Sequence, residues 1–280
     1  CDWSSDVCSS DLDRSFKADM PEYVLPGLNM DSIRVDDQRR EAVGNVPAFG
    51  RTLERQLTLA DGRWATLSDG RKIWQLQVRS LGALATSLYF NDFYLPQGAR
   101  LFVYTPNGKH VLGAFTAENN KTSGRFATGL LPGDACVIEY IEPKEYPGRV
   151  RLSVEAIGHA YRDVPFAKSR RDFGQSADCQ VNVNCDEGNG KDNAIDATSR
   201  ILVRMGNDMG WCSGTLVNNT LNDGTPYLLS AHHCAYDFAK EITIPQTDFD
   251  QWIFYFNYES PDCTTPNTED NIPQNSITGG

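Results

Sequence analysis

Short runs in which apolar and polar residues alternate recur between residues 51 and 162. The clearest are Ile73–Arg79 and Arg149–Ala156. Period-two alternation predicts β-strands with one buried face and one face in water. Asp-Gly, Pro-Asn-Gly and Pro-Gly turn signals separate the runs. Short strands at this spacing predict an all-β fold, with a β-sandwich over residues 51–162.

Other apolar runs between turn signals predict four further strands in the same region. They are Ser87–Phe93, Ala99–Tyr104, His110–Phe115 and Ala135–Tyr140. Cys136 shares the predicted inward face of the last strand with Ile138 and Tyr140. A small apolar side chain in that position predicts a buried free thiol and not a reactive one.

An aromatic cluster in this region leaves two interpretations open. Its members are Tyr89, Phe90, Phe93 and Tyr94. They could form an exposed platform for carbohydrate or protein, or they could pack in the core. Because they alternate poorly, core packing is favoured, and the fold alone does not decide.

The segment Cys212–Cys234, CSGTLVNNTLNDGTPYLLSAHHC, carries the clearest functional signal. A strand of small residues leads to a turn at Asn222-Asp223-Gly224, and a second apolar strand ends in Ala-His-His-Cys. This segment resembles the histidine region of trypsin-like serine proteases. The resemblance implies that His233 is the general base, because it directly precedes the cysteine. It also implies a disulfide between Cys212 and Cys234.

A histidine held in this way suits the chemistry of a serine nucleophile. A serine hydroxyl needs a base with a pKa near neutrality, held within hydrogen-bond reach and oriented by a carboxylate. Two alternatives remain open: His232, His233 and Cys234 could bind zinc, or both histidines could be plain loop residues. Adjacent residues rarely point at one ion, and no second Cys/His pair lies at metal spacing. We therefore expect no metal and no cofactor.

Flanking residues narrow the resemblance. Asp178–Gly188 contains Cys179 and Cys185, and Trp252–Ser260 precedes Cys263. With Cys212–Cys234 between them, these segments resemble the secreted bacterial lysyl endopeptidase group over about residues 173–265. The resemblance implies a Cys185–Cys263 disulfide and a partner for Cys179 that this chain does not contain, so Cys179 is expected to be unpaired.

The catalytic aspartate and serine are expected to lie beyond Gly280. In the trypsin-like order both follow the histidine, the aspartate by about 45 residues and the serine by about 140. Asp262 and Asp270 are poor candidates because they lie in polar stretches, and no Gly-Asp-Ser-Gly-like sequence is present. The chain alone is therefore predicted to be inactive.

Composition excludes several classes of partner. The net charge of −11 and a sequence pI of about 4.8 argue against nucleic-acid binding. Hydrophobic residues make up 40% of the chain, which suffices for globular cores. No run approaches the roughly 18 apolar residues of a membrane-spanning helix, so no membrane partner is expected. Five cysteines cluster in residues 179–280, which is typical of an oxidising compartment.

These patterns predict five regions. Residues 1–12, CDWSSDVCSSDL, resemble a translated sequencing adapter, with a Ser/Asp-rich tail as the alternative; without their three aspartates the net charge is −8. The other regions are a leader segment at 13–50 with a short helix around Asp36–Val43 and no evident core, the sandwich pro-domain at 51–162, and a linker with a possible processing site at 163–178. The resemblance implies that residues 179–280 form a truncated trypsin-like β-barrel protease domain.

The sequence therefore predicts a secreted bacterial serine endopeptidase precursor whose signal peptide is missing from this chain. We expect protein or peptide substrates, a possible preference for Lys or Arg, a monomer, and an intramolecular contact of the pro-domain. The alternative is a non-catalytic secreted protein that uses the sandwich and the protease-like region for binding.

Overall fold

The structure is a computed structural model that describes residues 20–67, 69–162, 179–264 and 275–279. Its strands are β1 Glu22–Leu25, β2 Ala48–Thr58, β3 Arg63–Thr66, β4 Lys72–Ser80, β5 Ala85–Tyr94, β6 Arg100–Tyr104, β7 Val111–Phe115, β8 Phe126–Ala127, β9 Leu131–Pro132, β10 Ala135–Ile141, β11 Arg151–Ala160, β12 Thr198–Met205, β13 Asp208–Val217, β14 Tyr227–Ser230, β15 Tyr236–Asp237, β16 Ile242–Thr243, β17 Ile253–Phe256 and β18 Asn275–Thr278. Its α-helices are α1 Met30–Ala42, α2 Asp192–Ala197 and α3 Gln246–Phe249. Strands far outnumber helices among the described residues, which confirms the predicted all-β class.

The chain divides into two compact units. Unit one comprises residues 1–28 and 53–159, and unit two comprises residues 29–52 and 160–280. The 1–12 and 163–178 segments singled out in the sequence lie outside the described residues. Strand β2 begins in unit two and continues into unit one after Thr52.

Unit one contains two antiparallel layers. One has the order β1-β4-β10-β6-β7 with β3 on β4, where β1 alone pairs in parallel; the other joins β11, β5 and β8, with β9 on β5. Their inner faces share one apolar cluster, to which β4 and β10 contribute Trp74, Leu76 and Ile138. Alternate residues of each strand reach this cluster, which is why the period-two pattern located the strands correctly.

The aromatic cluster of unit one belongs to its core. Phe90 and Phe93 are buried, and both rings pack on Phe126. Tyr89 is also buried, so the exposed-platform interpretation is wrong for these three residues. Cys136 is buried and free, as the sequence predicted.

Unit two is built on an open sheet with the order β18-β17-β12-β13, and the start of β2 pairs with β13. Strand β14 also pairs with β13. The core beneath this sheet contains Ile201, Val203, Trp252 and Phe254 together with the buried Cys212–Cys234 disulfide.

The leader segment differs from its prediction in two respects. Helix α1 starts at Met30, six residues before the predicted start, because the Asn29 side chain accepts hydrogen bonds from the N–H groups of Asp31 and Ser32. The segment also has buried residues, including Arg40 and Phe49, where no core was expected. The segment carries many charged side chains, and some of them form ion pairs in the interior.

Candidate active site

A β-hairpin presents the histidine segment. Strands β13 and β14 pair Gly214 with Ser230 and Leu216 with Leu228. A Cβ at Gly214 would lie 2.6 Å from Leu228 Cδ2 and 3.1 Å from the Leu229 carbonyl oxygen, so a larger residue would displace the Leu228 side chain and crowd the partner strand. The Ser230 hydroxyl donates a hydrogen bond to the Ser213 carbonyl at 2.8 Å. The small residues of this motif therefore serve close strand packing.

His233 lies in a 3₁₀ turn, His232–Cys234, directly after β14. The turn is closed by a hydrogen bond from the Cys234 N–H to the Ala231 carbonyl at 3.0 Å. Both imidazoles are exposed, whereas Cys234 is buried. The buried cysteine anchors the turn, and the histidines face solvent.

The structure contains the Cys212–Cys234 disulfide, the pair implied by the resemblance. A ring nitrogen of His233 and the two sulfur atoms lie within 4.8 Å of one another. A cysteine binds zinc as a thiolate, and these two cysteine sulfurs are already bonded to each other. This closeness therefore reflects the disulfide beside the turn, and these three residues do not form a metal site while it is intact.

The two histidines differ in their contacts. His232 stacks on Tyr236 with ring centroids 4.8 Å apart and meets Phe238 edge-on at 6.4 Å. Within the described part of the chain, His233 forms no hydrogen bond, ion pair or ring contact. An imidazole free to meet a carboxylate and a hydroxyl is what a general base requires.

Of the two aspartates considered in the sequence, Asp262 is described by the structure, and it forms no hydrogen bond with His233. Asp262 is exposed and accepts a hydrogen bond from the Thr264 N–H at 2.8 Å. Asp270 lies outside the described residues. The assignment of His233 as the base thus remains a prediction.

The other cysteines of unit two lie before and after the Cys212–Cys234 segment in the chain. The structure contains a Cys185–Cys263 disulfide, and Cys179 is free and exposed. The Asn182 amide donates a hydrogen bond to the Cys263 carbonyl at 3.0 Å. These contacts tie the chain around Cys185 to the segment that follows β17.

A cavity of about 550 Å³ opens beside Cys212. Its wall includes Trp211 and Tyr258, and the Arg200 guanidinium lies over both rings, 3.6 and 4.4 Å from their centroids. His233 does not line this cavity. We therefore assign the cavity no role in the chemistry.

Sequence reasoning missed the residues that pack behind the histidine turn. Asp237 is buried four residues after His233 and contacts Asn45 and Arg40 from the leader segment. Burial raises the pKa of Asp237, but the hydrogen bond from Asn45 and the charge of Arg40 outweigh it and lower that pKa below its usual value. No local pattern links positions that lie 192 and 197 residues apart.

Comparison with known proteins agrees with the sequence motifs. Residues 173–280 match the family model described as lysyl endopeptidase, C-terminal domain. A lysyl endopeptidase from Pseudomonas aeruginosa is 26% identical over 217 residues, covering 74% of this chain and 45% of that relative. The chain thus spans less than half of that relative's length. No solved structure matches significantly.

Both matches are to proteases, so the chain is similar to that class of protein. Within that class, the chain is lysyl endopeptidase-like, which confirms the resemblance found in its cysteine and histidine motifs. The structure has no helix long and apolar enough to cross a membrane among the residues it describes.

Proposed function

We propose that the parent protein is a secreted serine endopeptidase of the trypsin-like type, made as a precursor and directed at Lys or Arg residues. The observation that carries this proposal is the match of residues 173–280 to the lysyl endopeptidase model, with His233 next to the Cys212–Cys234 disulfide inside that region. The catalytic aspartate and serine would come from residues outside those described.

In this proposal His233 takes the proton of the attacking serine hydroxyl and then gives it to the leaving amine. The disulfide holds the turn against the buried Cys212 of β13, which restrains the backbone at His233. Small displacements of a catalytic group are costly in rate. The proposed chemistry needs no cofactor.

The sandwich of residues 51–162 would act as a pro-domain, joined to the protease segment by the linker at 163–178. Lys168, Arg170 and Arg171 in that linker suit cleavage by an enzyme directed at basic residues. N-terminal sequencing of the secreted form tests this division. We expect a start after residue 163, whereas a start before residue 100 would show that the sandwich is retained.

A peptide panel tests the activity itself. The full-length parent is assayed on matched peptide amides that differ only in Lys, Arg or Leu before the scissile bond. We expect hydrolysis of the Lys or Arg peptides and at least 100-fold slower hydrolysis of the Leu peptide. Binding of the peptides without hydrolysis of any of them would favour the non-catalytic alternative.

A further inference from the structure

The leader segment pairs with the strand that carries the disulfide. The first half of β13 pairs with β2 through Asp208–Arg51 and Met209–Gly50, while its second half pairs with β14. The Thr52 N–H extends this pairing to the Asn207 carbonyl at 2.8 Å. The leader therefore covers the part of the β13 edge that β14 leaves open, as an added strand does in peptide recognition.

Apolar packing accompanies the pairing. Phe49 is 1% exposed and stacks on Trp211, the residue before Cys212, with ring centroids 4.7 Å apart. A Cβ at Gly210 would lie 2.6 Å from Val46 Cγ1, so the glycine provides the space that Val46 fills. Val46 also packs against the core cluster of unit two.

Buried charges join the same two segments. Arg40 lies 2.6 Å from an Asp208 oxygen and 3.2 Å from an Asp237 oxygen. Arg51 lies 3.1 Å from the other Asp208 oxygen and also pairs with Asp37. All five side chains are no more than 16% exposed. A buried carboxylate needs such partners, since burial alone disfavours its charge.

Asn45 makes the most specific contact. Its amide NH₂ donates to Asp237 Oδ1 at 2.8 Å, and its Oδ1 accepts the Phe238 N–H at 2.7 Å and the Ala239 N–H at 3.3 Å. One buried side chain thus satisfies both the carboxylate and the backbone of the loop that follows the histidine turn. That loop also supplies the rings against which His232 packs.

We propose that residues 29–52 are a docking element for the histidine segment, in which Arg40 and Asn45 act as positioning residues by holding Tyr236–Ala239 behind His233. The regulatory meaning rests on the proposed function: removal of the leader would release the loop next to the general base. The docking itself is independent of any catalytic activity.

The first test asks whether the leader binds the histidine segment once the chain is cut. A recognition sequence for a site-specific protease is placed within residues 163–178 of the full chain, and the exposed thiol of Cys179 is alkylated. The nicked halves are then followed by size exclusion over a dilution series. We expect the halves to co-elute at micromolar concentration. Halves that separate at that concentration would overturn the proposal.

Matched variants show whether the named contacts cause that association. Arg40→Gln with Asn45→Ala removes the buried contacts, whereas Arg34→Gln with Arg39→Gln removes two exposed arginines from the same helix. We expect the first pair to raise the dissociation constant of the nicked halves at least tenfold and the second pair to change it less than twofold. Equal effects of the two pairs would contradict the proposal.

The second test is local and needs only the intact chain. In Asn45→Ala, we expect faster hydrogen exchange at the Phe238 and Ala239 amides, shifted imidazole NMR signals of His232 and His233, and unchanged exchange in β12. Unchanged exchange at the two amides would refute the positioning role. A uniform loss of protection that includes β12 would also refute it, because the effect would then be global.

Discussion

At the scale of single residues, burial decides which ionisable groups can react. His159 is 2% exposed, and its Nδ1 lies 2.8 Å from the Ser80 hydroxyl oxygen. Burial lowers the pKa of His159, so the folded protein keeps the ring neutral where the unfolded chain would protonate it. The pair resembles a catalytic dyad in composition only, since it is enclosed in the sandwich.

This burial predicts acid sensitivity of unit one. Above a pH of about 6.5, His159 is neutral in both the folded and the unfolded protein. Below that pH, the unfolded chain binds one more proton than the folded protein does. We expect the free energy of unfolding to decrease as the pH drops below about 6.5, and His159 contributes at most about 1.4 kcal/mol of this decrease per pH unit. Urea unfolding at pH 7.5, 6.0 and 5.0 measures the free energy of unfolding at each pH.

Two variants isolate the effect of His159. His159→Gln should flatten the fall between pH 6.5 and pH 5, whereas His110→Gln, at an exposed position, should leave it unchanged. If His159→Gln retains the whole pH dependence of the parent, other groups cause it and the assignment is wrong.

Cysteine reactivity follows the same rule. Burial raises the pKa of the Cys136 thiol to about 12. We expect iodoacetamide at pH 8 to alkylate Cys179, which is exposed, and to reach Cys136 only after denaturation. Peptide mapping by mass spectrometry distinguishes the sites, and rapid labelling of Cys136 in the native protein would contradict its enclosure.

At the scale of secondary-structure elements, the hairpin of β13 and β14 depends on a glycine at position 214. Because a Cβ at Gly214 would contact Leu228 Cδ2 and Ile201 Cδ1, we expect Gly214→Val to lower the free energy of unfolding by about 1–3 kcal/mol. Val217→Thr, at the exposed end of the same strand, should change it by less than about 0.5 kcal/mol. Denaturant unfolding compares the two, and equal effects would contradict this packing.

The buried charges give a second prediction at this scale. Arg51 is 7% exposed and pairs with Asp37 and Asp208. Removing one partner leaves buried charge uncompensated, so Arg51→Met should destabilise unit two by about 3 kcal/mol. Arg39→Gln removes an exposed ion pair and should cost less than about 1 kcal/mol. Similar losses in thermal or urea unfolding would show that the buried network contributes little.

Alternation found the strands of unit one because their side chains face one shared core. It located β4, β10 and β11 within a few residues. The same reasoning failed for residues 29–52, whose Arg40 and Arg51 are charged but buried. A charge that is buried by a distant partner leaves no periodic signal, so only the fold reveals Asp208 and Asp237 as its partners.

At the scale of the whole molecule, chain order and compact units do not coincide. Residues 29–52 belong to the unit that contains the histidine segment, although the sandwich lies between them in sequence. No sequence pattern indicates this, because the contacts that join the two segments connect residues far apart in the chain, and β2 itself passes from one unit to the other. The division at 163–178 therefore remains a proposal about processing.

The resemblance in the sequence implied one part of the candidate site that the structure contains, the Cys212–Cys234 disulfide, while the role of His233 stays a prediction. The spacing of Cys212, His233 and Cys234 matched a known family, and the same cysteines are bonded in the structure. The oriented triad could not be read, because the residues expected to complete it are not among those described.

The measurement that tests the account most directly compares two histidine variants of the full-length parent. Fluorophosphonate labelling and hydrolysis of a lysyl peptide amide are followed for His233→Ala and His232→Ala. Because triad members act as a unit, His233→Ala should lower kcat by about 10⁴-fold or more. We expect His232→Ala to lower it less than tenfold, since that ring packs on Tyr236 and Phe238. Near-parental turnover and labelling in His233→Ala would contradict the assignment of the general base.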